Sequence, residues 1–215
     1  MLVAALLVSA YLIGSIPFSF LVAKVFAGTD IRRHGSHNVG ATNVARTAGK
    51  VAGLTALLLD MTKGFAAVEL ARWVTRSTAW PLPMGLDASP LHSRAFWIAL
   101  CGLVAVLAHM FPLWLRFQGG KGVATATGAF LAMDPIAVVA GGIVFAIVLL
   151  ATRFVSMASI LGAASMPLFL RFLTHAPFWT IIVSIAIAIA VITKHHSNIA
   201  RLVRREERRM GEWKQ

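Results

Sequence analysis

The chain has 215 residues, 58% of them hydrophobic and 13% charged, where an ordinary soluble domain carries about 25% charged residues. Lys and Arg number 20 against 8 Asp and Glu, a formal charge of +12, which in a soluble protein would point to nucleic acid. Here several apolar runs approach or exceed the roughly 18 residues of a membrane-spanning helix. No nucleic-acid partner is therefore expected, and the cations read as topology signals, as contacts with membrane lipid headgroups or as contacts with an anionic substrate. The single cysteine, Cys101, lies in an apolar run, so an internal disulfide is excluded and no cysteine cluster suggests a metal.

The first predicted span covers residues 2–26, with a bend at Pro17. No basic residue precedes its apolar run, which argues against a signal peptide. Its first cation, Lys24, follows the run, which puts the N-terminus outside and Lys24 inside. A basic segment with Arg32, Arg33, Arg46 and Lys50 leads to a second span over 51–74. A proline-bearing outer loop over 75–93 leads to a third span over 94–115. The apolar region 123–151 has 29 residues, well beyond the roughly 20 that a single crossing needs. Asp134-Pro135 inside it is a natural turn, so two short helices are expected. Further spans cover 155–172 and a last stretch ending near Thr193.

Parity supports the split. The basic segment after the first span and the basic tail should share the cytoplasmic side, which requires an even number of spans between them. The expected fold is an all-α polytopic integral membrane protein with seven transmembrane helices, N-terminus outside and C-terminus cytoplasmic. It forms one membrane-embedded domain over 1–215, whose basic cytoplasmic tail is 194–215. The first helix of the broken pair is short, so it should be sheltered by its neighbours or thin the bilayer locally. No internal repeat is evident, so an inverted-repeat transporter gains no support.

This topology gathers four polar segments on the cytoplasmic side. In "RRHGSHNVGATNVARTAGK", residues 32–50, Ser36, Asn38, Thr42 and Asn43 can hydrogen-bond an anion and Arg46 can grip a phosphate with two parallel bonds. Gly35 and Gly40 permit turns that aim N–H groups inward. The competing reading is a loop whose Ser and Asn only cap the following helix.

"FQGGKGVATATG", residues 117–128, is not a Walker A loop, because Leu115 and Gly122 hold the places where that motif needs Gly and Ser or Thr. Gly119, Gly120 and Gly122 still allow close backbone approach, Lys121 supplies charge, and a helix starts near Val123 with its N–H groups open to an anion. Thr125 can add a hydroxyl. The competing reading is a flexible turn with a snorkelling lysine.

In "TRFVS", residues 152–156, Arg153 is a topology charge, while Ser156 counts only if it faces the other polar segments. In "KHHSNIARL", residues 194–202, His195, Asn198 and Arg201 have helical spacing, and His195 is a candidate base or phosphate ligand. Arg204, Arg205, Arg208 and Arg209 fit an amphipathic segment on anionic lipid. Asp60 and Lys63 are spaced for a helical pair in the second span; intramembrane charge invites function, with a structural pair or a snorkelling lysine as the equal alternative. His109 reads as a polar contact between helices. The chain carries no H-E-x-x-H, no G-x-S-x-G and no His-x4-Asp.

Taken together and in order, "GSIPFSF", "GSHNVGATNVART" with "GK" one residue on, "LDMTKG", "HMFP", "FQGGKGVATATG", "TRFVS" and "HHSNIARL" resemble the bacterial membrane acyl-phosphate:glycerol-3-phosphate acyltransferase family over nearly the whole chain. The resemblance implies a seven-helix, N-out enzyme of the bacterial plasma membrane with its active site facing the cytoplasm. The implied reaction moves a fatty acyl group from acyl phosphate to the 1-hydroxyl of glycerol 3-phosphate, giving lysophosphatidic acid and inorganic phosphate with no cofactor or metal. His195, Lys121, Arg46 and Ser36 are then expected at the chemistry. Asn38, Thr42, Asn43, Gly119, Gly120, Gly122, Thr125, Ser156, Asn198 and Arg201 are expected on the substrates. The chain departs from the family tail at His196, usually Arg, and at Arg205, usually Gly, while Glu207 keeps the acidic place. The alternative class is a transporter or channel for organic phosphates, whose site would sit near the bilayer midplane on broken helices.

Overall fold

A computed structural model describes residues 1–77, 91 and 93–211. Most of the predicted outer loop and the last four tail residues lie outside the described residues. Among those described, every regular element is helical, and the chain divides into two compact units, Met1–Met133 and Asp134–Gln215.

In the first unit, α1 (Leu2–Ser15) and α2 (Phe18–Ala27) form one apolar stretch interrupted at Ile16-Pro17. Pro17 has no N–H to continue the ladder, and the Ile16 carbonyl beside it accepts both the Phe18 N–H at 3.0 Å and Lys63 Nζ at 2.8 Å. The bend expected at Pro17 is thus a break braced by Lys63. Gly28, at φ 64°, ends α2 in the left-handed conformation. A turn over Ile31–Arg33 and the short α3 (Ala41–Ala48) follow. The long α4 (Lys50–Arg76) comes next, then α5 (Arg94–Met110), started by Ser93 accepting the Phe96 N–H, and α6 (Val123–Met133).

These helices pack through small residues, as expected where lipid gives helices no hydrophobic reason to associate. A methyl added at Gly128 would lie 1.8 Å from the Met61 carbonyl oxygen, and one at Gly64 would lie 2.0 Å from that of Thr125. Helices α4 and α6 therefore cross with their backbones nearly touching. Ala67, Ala71, Cys101 and Ala105 are fully buried in the seam between α1, α4 and α5.

In the second unit, Asp134 caps α7 (Pro135–Thr152) by accepting the Ala137 N–H at 3.0 Å, with Pro135 in the first turn. The expected break in the 123–151 region therefore falls at Asp134-Pro135. Helices α8 (Val155–Phe172) and α9 (Phe178–Lys194) follow, and α10 (His196–Val203) leaves α9 at 57°. One side of α7 shows Val139, Ile143, Ile147 and Leu150 exposed, the surface a lipid-facing helix presents.

Among the described residues, five apolar segments are long enough to cross a membrane, six when the bent α9–α10 pair counts as one span. Helix α6, with 11 residues, is about 16 Å long, against a hydrocarbon core of about 30 Å.

Candidate functional site

Polar and charged side chains gather in two constellations, one in each unit. The first begins at Asp30, which accepts the Arg32 N–H at 3.0 Å and pairs with its guanidinium at 2.7 Å. The hydrogen bonds from Arg32 hold the Asp30 carboxyl down at about 2. Arg32 is thereby committed to its neighbour.

Asn43, on α3, is buried and commits its amide to the preceding loop. Its Nδ2 faces the carbonyls of Ile31, His34 and Asn38 at 3.2, 3.0 and 3.1 Å, and its Oδ1 accepts the Ser36 N–H at 2.9 Å. Asn43, expected on the substrates, has both groups of its amide engaged by the loop. It shapes the loop from within, and Gly35, at φ 62°, leaves the space its Oδ1 occupies. The same residues dispose of the capping alternative, because α3 starts at Gly40 with no side-chain cap. Ser36 and Thr42 are exposed, Asn38 and Arg46 half-buried. Thr42 and Arg46 are four residues apart on α3, hence on one face.

The glycine-lysine loop is anchored to the end of α5. A helix end leaves carbonyls without partners. Here the Gly119 N–H donates to the Met110 carbonyl at 3.2 Å and the Gly120 N–H to the His109 carbonyl at 3.1 Å. Those two amides, expected to cradle phosphate, are instead used to fasten the loop. The glycines are needed for contact. A methyl at Gly120 would lie 2.1 Å from His109 Nε2 and 2.3 Å from the Val39 carbonyl oxygen. One at Gly119 would lie 2.1 Å from the His109 carbonyl oxygen. Val39 belongs to the "GSHNVGATN" loop, so the two glycine-bearing motifs pack against each other at Gly120.

Gly122, at φ 81°, turns the chain into α6 and leaves Lys121 half-buried just ahead of it. The opening N–H groups of α6 have no intrahelical partners, as at any helix start. Thr125 is fully buried and its hydroxyl makes no hydrogen bond among the described residues. Tyr11 and Ser15 of α1 steady the preceding turn, through Tyr11 Oη to the Phe111 carbonyl at 2.9 Å and Trp114 Nε1 to Ser15 Oγ at 3.0 Å.

Beneath the loop, Asp60 and Lys63 form a buried ion pair at 2.7 Å. Ser19 donates to the other Asp60 oxygen at 2.6 Å, and His109 Nδ1 lies 3.5 Å from the first. The helical pair expected in the second span and the interhelical role expected for His109 are both present, in one cluster.

The second constellation centres on Glu207. Ser156 Oγ and Asn198 Nδ2 donate to Glu207 Oε1 at 2.7 and 2.6 Å, and Arg201 Nε donates to Oε2 at 2.7 Å. Burial alone would raise the Glu207 carboxyl, but these hydrogen bonds and the Arg201 charge outweigh it and leave it lowered. The tail is fastened a second time, by paired bonds between Arg153 and Met210. The Met210 N–H donates to the Arg153 carbonyl at 2.7 Å, and Arg153 Nη2 donates back to the Met210 carbonyl at 2.9 Å. Arg153 therefore does more than mark topology. Ser156, Asn198 and Arg201 meet on a carboxylate that residue spacing alone did not single out, the one that keeps the acidic place of the family tail.

His195 sits at the α9–α10 bend, buried, with Nδ1 2.8 Å from the Val191 carbonyl oxygen. A carbonyl only accepts, so Nδ1 carries a proton and donates to Val191. Among the described residues no cluster of His, Cys, Asp and Glu has the makings of a metal site.

Helices of membrane-crossing length packed through small residues describe a helical membrane protein. The family model described as glycerol-3-phosphate acyltransferase matches residues 4–205. Proteins named glycerol-3-phosphate acyltransferase from Desulforamulus reducens and Thermosynechococcus vestitus are each 42% identical to the chain. The first match covers 97% of this chain and 96% of the relative, the second 94% and 92%. Two crystal structures of PlsY, described as an integral membrane glycerol 3-phosphate acyltransferase, superpose with TM-scores of 0.83 and 0.81 at 37% and 36% identity. Each match covers 97% of this chain, and 96% or 95% of the solved one. One is the glycerol 3-phosphate form and the other the lysophosphatidic acid form. The chain belongs to the glycerol-3-phosphate acyltransferase family.

Proposed function

We propose that the chain transfers a fatty acyl group from acyl phosphate to the 1-hydroxyl of glycerol 3-phosphate, releasing lysophosphatidic acid and inorganic phosphate. The hydroxyl oxygen attacks the acyl carbon, the bond from that carbon to the phosphate oxygen breaks, and phosphate leaves with the electron pair. The hydroxyl proton passes to His195 Nε2 or to a substrate phosphate oxygen. Beyond family membership, the observation that carries the reading is the docking of the glycine-lysine loop on Val39. It joins the loop bearing Lys121 to the loop that leads to Arg46.

Each substrate phosphate carries a charge of about −1.5 to −2, so bringing two together requires fixed cations. Lys121, the opening turn of α6 with Gly122, and the buried Thr125 hydroxyl are assigned to one phosphate. Arg46, Ser36, Asn38 and Thr42 are assigned to the other, whether donor or acceptor. Gly119 and Gly120 contribute by holding Lys121 in place. Asn198, Arg201 and Ser156 set the surroundings of His195. Acyl phosphate is already activated, so positioning and cationic stabilisation are the main contributions asked of the protein.

The proposed setting is the bacterial inner membrane, with the chemistry facing the cytoplasm and the acyl chain between helices, open to lipid. Helix α6 would cross as a shortened span, making seven, with the N-terminus outside and the C-terminus inside. Reporters fused at the two termini should be reached from opposite sides of the membrane.

The decisive experiment incubates purified protein with acyl phosphate and glycerol 3-phosphate, with an acyl-CoA control for donor choice. Absence of both acylated product and phosphate release would reject the assignment. For the base, His195→Ala with near-normal activity and an unchanged pH profile would leave the substrate phosphate as proton acceptor.

A further inference from the structure

The geometry points to the Asp60–Lys63 pair and His109 as a positioning device that sets the phosphate affinity of the glycine-lysine loop. This rests on the assignment of Lys121 to a substrate phosphate.

The His109 ring stands between Asp60 and Gly120. On one edge Nδ1 faces Asp60 Oδ1 at 3.5 Å, an electrostatic contact longer than an ordinary hydrogen bond. On the other, Nε2 fills the space where a Gly120 side chain would stand. Its own carbonyl accepts the Gly120 N–H, so His109 touches the loop through both backbone and side chain, one residue from Lys121. Asp60 is fixed in turn by Lys63 and Ser19, and Lys63 is fixed by the Ile16 carbonyl at the break in the first span. The chain of contact runs from the α1–α2 break through α4 to the end of α5 and the loop. The space between these groups, bounded also by Val39 and Pro112, is closely filled by their side chains.

Stability does not account for such a cluster. Two charges buried at membrane depth carry a large desolvation cost, and apolar residues of similar volume often serve as well or better. What the ion pair adds is direction. A carboxylate held on both oxygens fixes an imidazole, and the imidazole fixes a backbone that has no side chain of its own to hold it. Asp60 and His109 touch neither reacting atom and act through Gly120, so their effect should appear in substrate affinity.

The test measures KM for acyl phosphate, KM for glycerol 3-phosphate, kcat and the thermal midpoint on full-length protein in lipid nanodiscs. His109→Ala and Asp60→Asn should each raise at least one KM by about tenfold or more, with a smaller change in kcat. Which KM moves identifies the phosphate the loop holds. His109→Gln restores reach toward Gly120 and should recover most of the loss. The double variant should be no worse than His109→Ala, because both act along one path. Ser19→Ala removes a single bond to Asp60 and serves if the others do not fold, with a rise of about threefold expected.

Lowered thermal midpoints with both KM values unchanged would overturn the inference, as would strictly additive effects of Asp60→Asn and His109→Ala. Lys121→Ala separates this from the underlying assignment. If it raises a KM and the positioning variants do not, only the positioning role fails. If it changes neither KM, the phosphate assignment fails and the inference falls with it.

Discussion

The two constellations are built by opposite means. The glycine-lysine loop is held by what is missing from it. Gly119 and Gly120 lack side chains, and the carbonyls of His109, Met110 and Val39 and the His109 ring occupy that space. The tail motif is held by what it carries, because one carboxylate, Glu207, collects Ser156, Asn198 and Arg201. A structure of the first kind breaks when atoms are added, one of the second kind when they are removed.

The largest effect should come from charge at the first constellation. Lys121→Ala should reduce acyl transfer by about 10²-fold to 10³-fold, the scale for losing one fixed electrostatic contact in a transition state, with the protein still in the membrane fraction. Robust transfer would mean that the loop is scaffold alone.

Next comes the addition test. Gly120→Ala forces a methyl into the His109 ring and the Val39 carbonyl. Overpacking of this kind costs about 1–3 kcal/mol, and a shift of about 1 Å in a positioned group costs about 10²-fold in rate. Near-normal activity would show that the loop yields, and the contrast between the regions would disappear.

The removal test belongs to the tail. Glu207→Ala leaves three donors without their acceptor, and a hydrogen bond to a charged group is worth about 1.5–3 kcal/mol. It should lower the thermal midpoint and speed hydrogen exchange of amides in α10, with Glu207→Gln intermediate. Unchanged exchange in both variants would mean that the tail is held elsewhere.

The smallest effect is with pH. The Glu207 carboxyl is lowered in the folded protein, so its contribution is fully present above the ordinary glutamate value of about 4.3 and is lost as pH falls through the lower folded value. Protection of the tail amides, taken relative to their intrinsic exchange rate, should therefore fall at acid pH in the parent protein and show no such fall in Glu207→Gln. The glycine loop, held by backbone, should show no matching transition.

Much of the architecture was legible because its signals are local. Pro17 and Asp134-Pro135 break helices through a missing N–H and a side-chain cap, effects readable within three residues. That the two glycine motifs stand out from the apolar chain was also legible, since glycines, hydroxyls and cations crowd there at span ends. The individual roles were not. Asn43 looks like a ligand group until the fold surrounds its amide with the carbonyls of Ile31, His34 and Asn38. Gly119 and Gly120 look like phosphate donors until α5 claims their N–H groups. Glu207 looks like one more tail charge until three distant donors converge on it. In each case the deciding partner lies elsewhere in the fold, where spacing along the chain carries no information.

Helix α6 has a further consequence as a measured spacer. Its first turn is tied through Gly122 to a loop fastened on α5, its middle is keyed to Met61 by Gly128, and it stops at Met133 one residue before the cap of α7. Inserting a single residue would turn Lys121 by about 100° and move it by about 1.5 Å relative to α4. With its start and its middle engaged, the slip falls on Lys121. Substitutions along α6 can be graded in their effects, but a change in its length is a frame error, and its eleven residues act as a gauge block between the lysine and the crossing with α4.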